Sequence, residues 1–262
     1  VSGKKIINEE SVELHVAKAN FSLSNMNFEN IVELKSNQCF FRHAVHSGKI
    51  QSYKKNKNKI ILSVNSSANA DGLENLNPDS ICGKTLLIDT NTKEYKIYTS
   101  GHRNIIGMYS DKDIILATEH GPFAGDEINN IQEGKSYGWP ISSYGEKYSR
   151  GQSNEPPNYK KDHETHGFVE PIFSFVPAIG ISEIIKLPNN FSEMWQDNFL
   201  VGSLNGNYLY RIKFDKNFSK IIYHERIFIG DRIRDVIFNK DTNEIYLSLE
   251  LKGELGIISK AQ

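Results

Sequence analysis

The stretch RDVIFNKDTNEIYLS, residues 234–248, carries the clearest structural signal in this sequence. Two short, mainly apolar runs lie on either side of a polar segment, residues 239–243. Apolar runs of this length bounded by Asn, Asp and Lys are typical of paired β-strands. A further apolar run, residues 256–259, follows shortly afterwards. The pattern therefore predicts a small antiparallel sheet.

The same pattern recurs along the chain, which predicts a repeat architecture. Comparable strands begin at Ile60, Ile114, Phe199 and Ile245. They are spaced by roughly 50 residues, except for a longer middle interval rich in Gly and Pro, and such a period is typical of β-propeller blades. A β-sandwich would instead show turns about every 8 to 12 residues without the long period. We therefore predict an all-β chain that forms a single β-propeller domain over residues 1–262.

The composition limits the classes of partner. The chain of 262 residues has a net charge of −1, and its basic residues are scattered, which argues against a nucleic-acid partner. The densest basic group, residues 54–59, predicts a solvated turn between strands. No run approaches about 18 consecutive apolar residues, so we predict no membrane-spanning helix.

Two features that suggest redox or metal chemistry are weak. Cys39 and Cys82 are too few for a disulfide scaffold or a zinc ribbon. Their spacing leaves pairing open, and buried free thiols are the simpler interpretation. The segment HETH, residues 163–166, has two histidines three positions apart. Because neither a helix nor a third ligand accompanies them, we expect both histidines to be solvated.

A pair of arginines near the C-terminus predicts an anion-binding site. Alternate residues of an extended strand share a face, so Arg232 and Arg234 lie on the same side. Two guanidinium groups on one side form a fork that binds carboxylates in bidentate fashion. The alternative is that these arginines form salt bridges with the neighbouring Asp231 and Asp235.

A second segment predicts a cation site. Gly121 and Pro122 interrupt a regular strand and expose backbone carbonyls, which are good ligands for a hard cation such as calcium. Asp126 and Glu127 add carboxylates nearby, although an ordinary acidic turn is the alternative. Together with the arginines, these residues predict a pocket for a multiply charged anion and calcium.

The motifs, taken in order, resemble the glucose/sorbosone dehydrogenase family. They are GHRN at 101–104, TEHGP at 118–122, DE at 126–127, YGWP at 137–140 and RIRD at 232–235. The resemblance runs from His15 to the C-terminus. It implies a six-bladed propeller that binds pyrroloquinoline quinone (PQQ) over calcium and oxidises aldose sugars at the anomeric carbon. It also implies a periplasmic or secreted location and an external electron acceptor.

The resemblance also implies roles for individual residues. The residues that contact the quinone are expected to be Arg103, Asn104, His120, Ser182, Arg232 and Arg234. The carbonyls of Gly121 and Pro122 are expected to bind the calcium next to the quinone. Glu127 and the carbonyl of Tyr137 are expected to form part of a second, structural calcium site.

The sequence departs from the family pattern at several of these positions. When Gly48-Lys49-Ile50 is aligned with the family's Gly-Arg-Leu, Val45 takes the position of the catalytic base and His46 is one residue away. A one-residue shift reverses the face of a strand, and a bulge or a deletion would restore it. We predict His46 as the base; the alternative is a surface or core histidine. Asn205 replaces the family's lysine, and Glu183 replaces a glycine.

About one blade of family sequence has no counterpart before His15, so we expect about five blades. A fragment, a natural five-bladed variant and a ring completed by a second copy, as in a homodimer, all fit this pattern. Two other functions also stay open. One is a catalytically inactive relative that binds a carbohydrate or a protein. The other is a calcium-dependent lactone or ester hydrolase.

Overall fold

The computed structural model describes residues 2–8, 11–21, 26–34, 48–66, 74–147 and 159–260. These residues form five antiparallel sheets, and within each sheet every strand pairs with the next strand in the chain. Short 3-10 turns occur at Glu164–His166 and Glu193–Trp195. No helix of the described part is long and apolar enough to cross a membrane.

The five sheets follow one another along the sequence. The first contains β1 (Ser2–Asn8), β2 (Ser11–Phe21) and β3 (Met26–Leu34). The second contains β4 (Ile50–Ser52), β5 (Lys59–Val64), β6 (Lys84–Asp89) and β7 (Tyr95–Thr99). The third contains β8 (Ile105–Ser110), β9 (Ile115–Glu119), β10 (Asp126–Asn130) and β11 (Phe173–Phe175). The fourth contains β12 (Ile181–Lys186), β13 (Asn198–Ser203), β14 (Tyr208–Phe214) and β15 (Ile221–Phe228). The fifth contains β16 (Ile233–Asn239), β17 (Glu244–Leu249) and β18 (Glu254–Ile258).

This arrangement confirms the predicted all-β propeller with five blades. The four strands on which the predicted repeat rested are β5, β9, β13 and β17, and each is the second strand of its sheet. The first strands of the second to fifth sheets, which are β4, β8, β12 and β16, together line a cavity of about 630 Å³. This cavity is the central channel of the propeller.

Buried apolar residues hold neighbouring blades together. Each of the four clusters lies between two consecutive sheets, and alternate residues of the strands supply it. In the cluster between the third and fourth sheets, for example, Leu116 and Ile128 pack with Ile184 and Phe199. Full burial of one such side chain contributes about 1.5–3 kcal/mol.

Two expectations about local structure need correction. The alternative of an ordinary acidic turn at Asp126 and Glu127 is wrong, because both are buried residues of β10, which begins at Asp126. Cys82 is bonded in a disulfide, so a free thiol is wrong for this residue. Cys39 lies outside the described residues.

Candidate functional site

A pocket of about 510 Å³ opens at the end of the channel where β8 and β12 begin. Its volume falls within the usual range for small-molecule sites. Loops of the third and fourth sheets form its wall. The sequence-predicted residues among those that line it are Arg103, Asn104, His120, Gly121 and Pro122. The structure therefore brings five of the eleven predicted site residues together in one pocket, and Asn205 also lines it.

Asp126 organises the wall of this pocket. Its buried carboxylate accepts backbone N–H groups from both sheets: Oδ1 accepts from Gly121 at 3.1 Å, and Oδ2 accepts from Ile179 at 3.0 Å and Ile181 at 2.9 Å. Position 121 also requires glycine, because a Cβ on Gly121 would lie 2.2 Å from the carbonyl oxygen of Ala124. The local fold of the TEHGP motif thus depends on a carboxylate at the start of β10.

His120 is held with one ring nitrogen engaged. Nε2 donates to the carbonyl of Ile181 at 2.6 Å. Burial lowers the pKa of His120, and the charges of Arg103 and Arg234 lower it further, against the opposing effect of Asp126. These effects favour a neutral ring at neutral pH, with the proton on Nε2 and a lone pair on Nδ1.

Arg103 spans the back of the same pocket. Its Nη1 donates to the carbonyl of His120 at 3.1 Å, and its guanidinium lies over the ring of Trp139. The indole N–H of Trp139 in turn donates to the hydroxyl of Ser66 at 2.9 Å. Arg103 is therefore fixed by both a hydrogen bond and a cation–π contact.

A buried pair, His102 and Glu119, lies behind Arg103 and joins the GHRN and TEHGP motifs. No role was predicted for either residue. His102 Nδ1 lies 3.0 Å from Glu119 Oε2, and the backbone N–H of Arg103 donates to Glu119 Oε1. Burial opposes ionisation of Glu119, but His102 and the backbone N–H groups outweigh it and lower its pKa. The two motifs GHRN and TEHGP are thus linked by a charged residue inside the blade.

Arg232 and Arg234 lie on one side of the chain, as alternation predicts. Both donate to the same carboxylate oxygen of Glu250, Arg232 Nε at 3.0 Å and Arg234 Nη2 at 2.6 Å. The alternative partners do not form these bridges. Asp231 accepts backbone N–H groups, including that of Arg232 at 2.6 Å, and Asp235 accepts from the backbone of Val236.

Arg232, Arg234 and Glu250 are not among the residues that line the pocket, although Arg232 is bonded next to it. Arg232 Nη1 also donates to the carbonyl of Leu204 at 3.2 Å, and the adjacent Asn205 lines the pocket. Hydrogen bonds from Arg234 and Arg232 lower the pKa of Glu250. One carboxylate therefore balances part of the positive charge that the two arginines would offer to an anion.

Ser182 lies outside the pocket lining. Its side chain is fully buried, and its hydroxyl donates to the carbonyl of Ile233 at 2.6 Å. A Cβ at Gly202 would lie 2.3 Å from this hydroxyl, so the contact is closely packed. In this structure Ser182 connects the fourth blade to the fifth.

Glu127 and Tyr137 lie in a buried cluster with His163, around a small cavity that Arg103 and His120 also line. His163 Nδ1 donates to the carbonyl of Tyr137 at 3.1 Å, and His163 Nε2 lies 3.5 Å from Glu127 Oε1. The expectation that His163 is solvated is wrong, since only 1% of it is exposed; His166 is exposed as expected. Burial and the nearby Glu119 raise the pKa of Glu127, and burial lowers that of His163.

The pocket residues fit a quinone and one calcium ion. Among the lining residues, the guanidinium of Arg103 suits an anionic ligand, and no described group donates a hydrogen bond to the carbonyl of Gly121. A calcium ion could therefore be held there by main-chain oxygens. Groups of three or more His, Cys, Asp or Glu side chains that could hold a metal do not occur in the described ranges.

The residues do not fit a second calcium. The ring of His163 lies between the two expected ligands and contacts the Tyr137 carbonyl with one nitrogen while the other faces Glu127. A cation bound to both oxygens would have to take the place of that ring. His46, the predicted base, lies outside the described residues, and its position is not tested.

Comparisons with known proteins agree with the fold. The family described as Glucose / Sorbosone dehydrogenase matches residues 7–257. An uncharacterized protein of Synechocystis is 34% identical over 162 residues, 61% of this chain and 38% of its own length. The aldose sugar dehydrogenase YliI of Escherichia coli is 32% identical over 164 residues, 61% of this chain and 43% of its own length. The matches thus span less than half the length of these curated relatives.

A solved structure resembles the chain over nearly its whole length. The soluble aldose sugar dehydrogenase of Escherichia coli, in its apo-form, aligns with a TM-score of 0.81 and 21% sequence identity. The alignment covers 99% of this chain and 77% of that one. At this identity the likeness shows the fold alone.

Proposed function

The chain belongs to the glucose/sorbosone dehydrogenase family, and on that basis we propose that it oxidises aldose sugars at the anomeric carbon with PQQ and calcium. The observation that carries the proposal is the pocket at the end of the channel, where Arg103, Asn104, His120, Gly121 and Pro122 line one cavity. These are the residues for which the family resemblance implies contact with the quinone and its calcium.

The residues have distinct roles in this proposal. Arg103, supported from behind by Trp139, binds an acidic group of the quinone. His120 presents its bare Nδ1, because Nε2 is committed to the carbonyl of Ile181. Arg232 and Arg234 supply further positive charge at the rim. We leave Ser182 out of the quinone site, because its hydroxyl is engaged inside the blade.

The chemistry divides between the cofactor and the chain. When bound, the quinone supplies the acceptor for the hydride of the sugar. The chain supplies orientation and a base that takes the proton of the anomeric hydroxyl. We propose His46 Nε2 or Nδ1 for that proton. Calcium is proposed at the carbonyls of Gly121 and Pro122.

The test is a calorimetric titration of the calcium-loaded protein with PQQ, followed by a dye-reduction assay with a panel of aldoses. Tight binding with turnover supports the enzyme, and His46→Ala should then abolish turnover while binding persists. Tight binding without turnover of any aldose means that the pocket binds the quinone but that the chain lacks an effective catalytic base. No binding overturns the proposal.

A second function, an inactive relative that binds a carbohydrate or a protein, is favoured by the reduced positive charge of the pocket. Asn205 lines it at the position of the family's lysine, and Glu250 balances Arg232 and Arg234. In that case the pocket should bind sugars without quinone, which a titration of the quinone-free protein with the same aldoses detects.

We also propose that the protein works outside the cytoplasm and passes electrons to an external acceptor. The disulfide at Cys82 supports an oxidising compartment, where such bonds persist. A single propeller domain, with a homodimer as one way to cover open blade edges, remains part of the proposal. Sedimentation of the purified protein checks the oligomeric state.

A further inference from the structure

The His163 side chain is built into the blade interior by several contacts. Its ring stacks on that of Tyr144, with 5.2 Å between centroids. Its backbone carbonyl accepts the N–H groups of His166 and Phe168, at 3.1 and 3.0 Å. A Cβ on Gly138 would lie 2.9 Å from Nδ1, so the glycine of the YGWP motif leaves room for the ring.

The ring of His163 lies between the carbonyl of Tyr137 and the carboxylate of Glu127. Nδ1 donates to the carbonyl of Tyr137, because a carbonyl only accepts. This hydrogen bond leaves Nε2 aimed at Glu127 Oε1 across 3.5 Å. Nε2 is buried and has no hydrogen-bond partner among the described residues.

Most carboxylate oxygens around this point are already engaged and Asn129 Oδ1 is the one amide oxygen there that is buried without a partner among the described residues, whereas calcium takes about six to eight oxygen ligands. Glu119 Oε1 accepts from the backbone of Arg103, and Glu119 Oε2 lies 3.0 Å from His102. Glu127 Oε2 accepts from the amide of Asn129 at 3.2 Å. The cavity beside them measures about 10 Å³, which is close to the space of one water molecule.

We propose that the imidazole of His163 takes the place of a structural cation in this blade and joins Glu127 to the Tyr137 carbonyl without metal. The ring thereby fixes the segment from Tyr137 to Trp139, and the indole of Trp139 supports Arg103. This inference does not rest on the proposed function, because it concerns the protein without quinone.

The test compares thermal unfolding of the quinone-free protein in a chelator and in calcium. His163→Ala removes the connecting ring and should lower the unfolding midpoint by about 5–10 °C in both solutions. The matched control is His166→Ala, which changes an exposed histidine three residues away and should leave the midpoint unchanged.

Glu127→Gln separates this connection from a metal site. A glutamine keeps the length of the side chain, and its amide can donate to the bare Nε2, so the midpoint should stay close to that of the wild type. Wild type and Glu127→Gln should also respond alike to calcium, because any calcium bound elsewhere acts on both. Glu127→Gln should also contain as much bound metal as the wild type when both are measured by mass spectrometry.

The opposite results overturn the proposal. A calcium effect on the wild-type midpoint that Glu127→Gln removes would mean that a cation is bound by that carboxylate. A midpoint raised by zinc, and not by calcium, would mean that His163 is itself a metal ligand. If His163→Ala does not fold, the comparison of wild type with Glu127→Gln still decides between these outcomes.

Discussion

The guanidinium of Arg103 lies over the indole ring of Trp139, with 5.5 Å between Cζ and the ring centroid. The same guanidinium donates to the carbonyl of His120, so two contacts hold Arg103 in the pocket that it lines. The tryptophan of the YGWP motif thus acts on the pocket through an arginine.

Trp139→Leu should therefore weaken quinone binding. A cation–π contact is worth about 0.5–2 kcal/mol, which corresponds to about 2- to 30-fold in affinity. Calorimetric titration measures the change, and Trp139→Phe should retain most of the affinity. The matched control is Trp195→Leu, which removes another arginine–tryptophan contact, that with Arg211, away from the pocket. An equal loss of affinity in both leucine variants would contradict the specific role of Trp139.

Asp126→Ala should destabilise the fold and the pocket together. It leaves the backbone N–H groups of Gly121, Ile179 and Ile181 without their acceptor. We expect the free energy of unfolding to fall by about 2–5 kcal/mol. Urea denaturation measures it, with the exposed Asp241→Ala as control. A change of less than about 0.5 kcal/mol would show that water replaces the carboxylate without cost.

Glu183→Gln should lower the free energy of unfolding, because it breaks an ion pair in the channel. Glu183 is buried and forms a salt bridge with Lys49, whose pKa is lowered by burial despite the charge of Asp235. Removing the carboxylate's charge leaves the ammonium without its partner, and we expect a loss of about 2–4 kcal/mol. The double variant Lys49→Met/Glu183→Gln should recover much of this loss in urea denaturation. If the single and the double variant lose the same free energy of unfolding, Lys49 and Glu183 are not energetically coupled.

Glu250→Gln should strengthen binding of the quinone. It removes the carboxylate that Arg232 and Arg234 share, so more positive charge faces an anionic ligand. We expect the affinity to rise by about 3- to 10-fold at low salt and the gain to shrink as ionic strength increases. Titrations at two salt concentrations measure both effects. Unchanged affinity at low salt would place the arginines outside the binding site.

The same residue predicts a pH dependence of stability. Hydrogen bonds from Arg234 and Arg232 lower the pKa of Glu250 below its ordinary value of 4.5. Its contribution to stability is therefore fully present above 4.5 and is lost as the pH falls through the lowered value. The effect is small because the group is partly exposed. The thermal midpoint of Glu250→Gln should fall less steeply below that pH than the midpoint of the wild type.

The repeat could be predicted from the sequence because the apolar periodicity of strands such as β17 is local. No strand was predicted at β10 because Asp126, Glu127 and Asn129 are polar, whereas the structure buries all three side chains. The partners of Arg232 and Arg234 were missed for a related reason. Glu250 follows β17, and only the pairing of β16 with β17 brings it to them.

The burial of His163 also depends on long-range contacts. Its sequence surroundings are polar, and nothing local indicates that Tyr144 stacks on it or that Gly138 makes room for it. The pocket was predicted more fully because the motifs GHRN and TEHGP each supply adjacent residues to it. Ser182 shows the limit of that approach, since the family resemblance that implied its role did not reveal that its hydroxyl is engaged inside the blade.

Because each apolar cluster formed by the described residues joins two consecutive blades, these blades are coupled through their nearest neighbours. The pocket lies at one of these couplings, since Arg103 and His120 come from the third sheet and Asn205 comes from the fourth. A ligand bound there would contact both blades and stabilise the junction between the third and fourth sheets. Amide hydrogen exchange should then slow most in the third and fourth blades and least in the first, which is separated from the junction by the second.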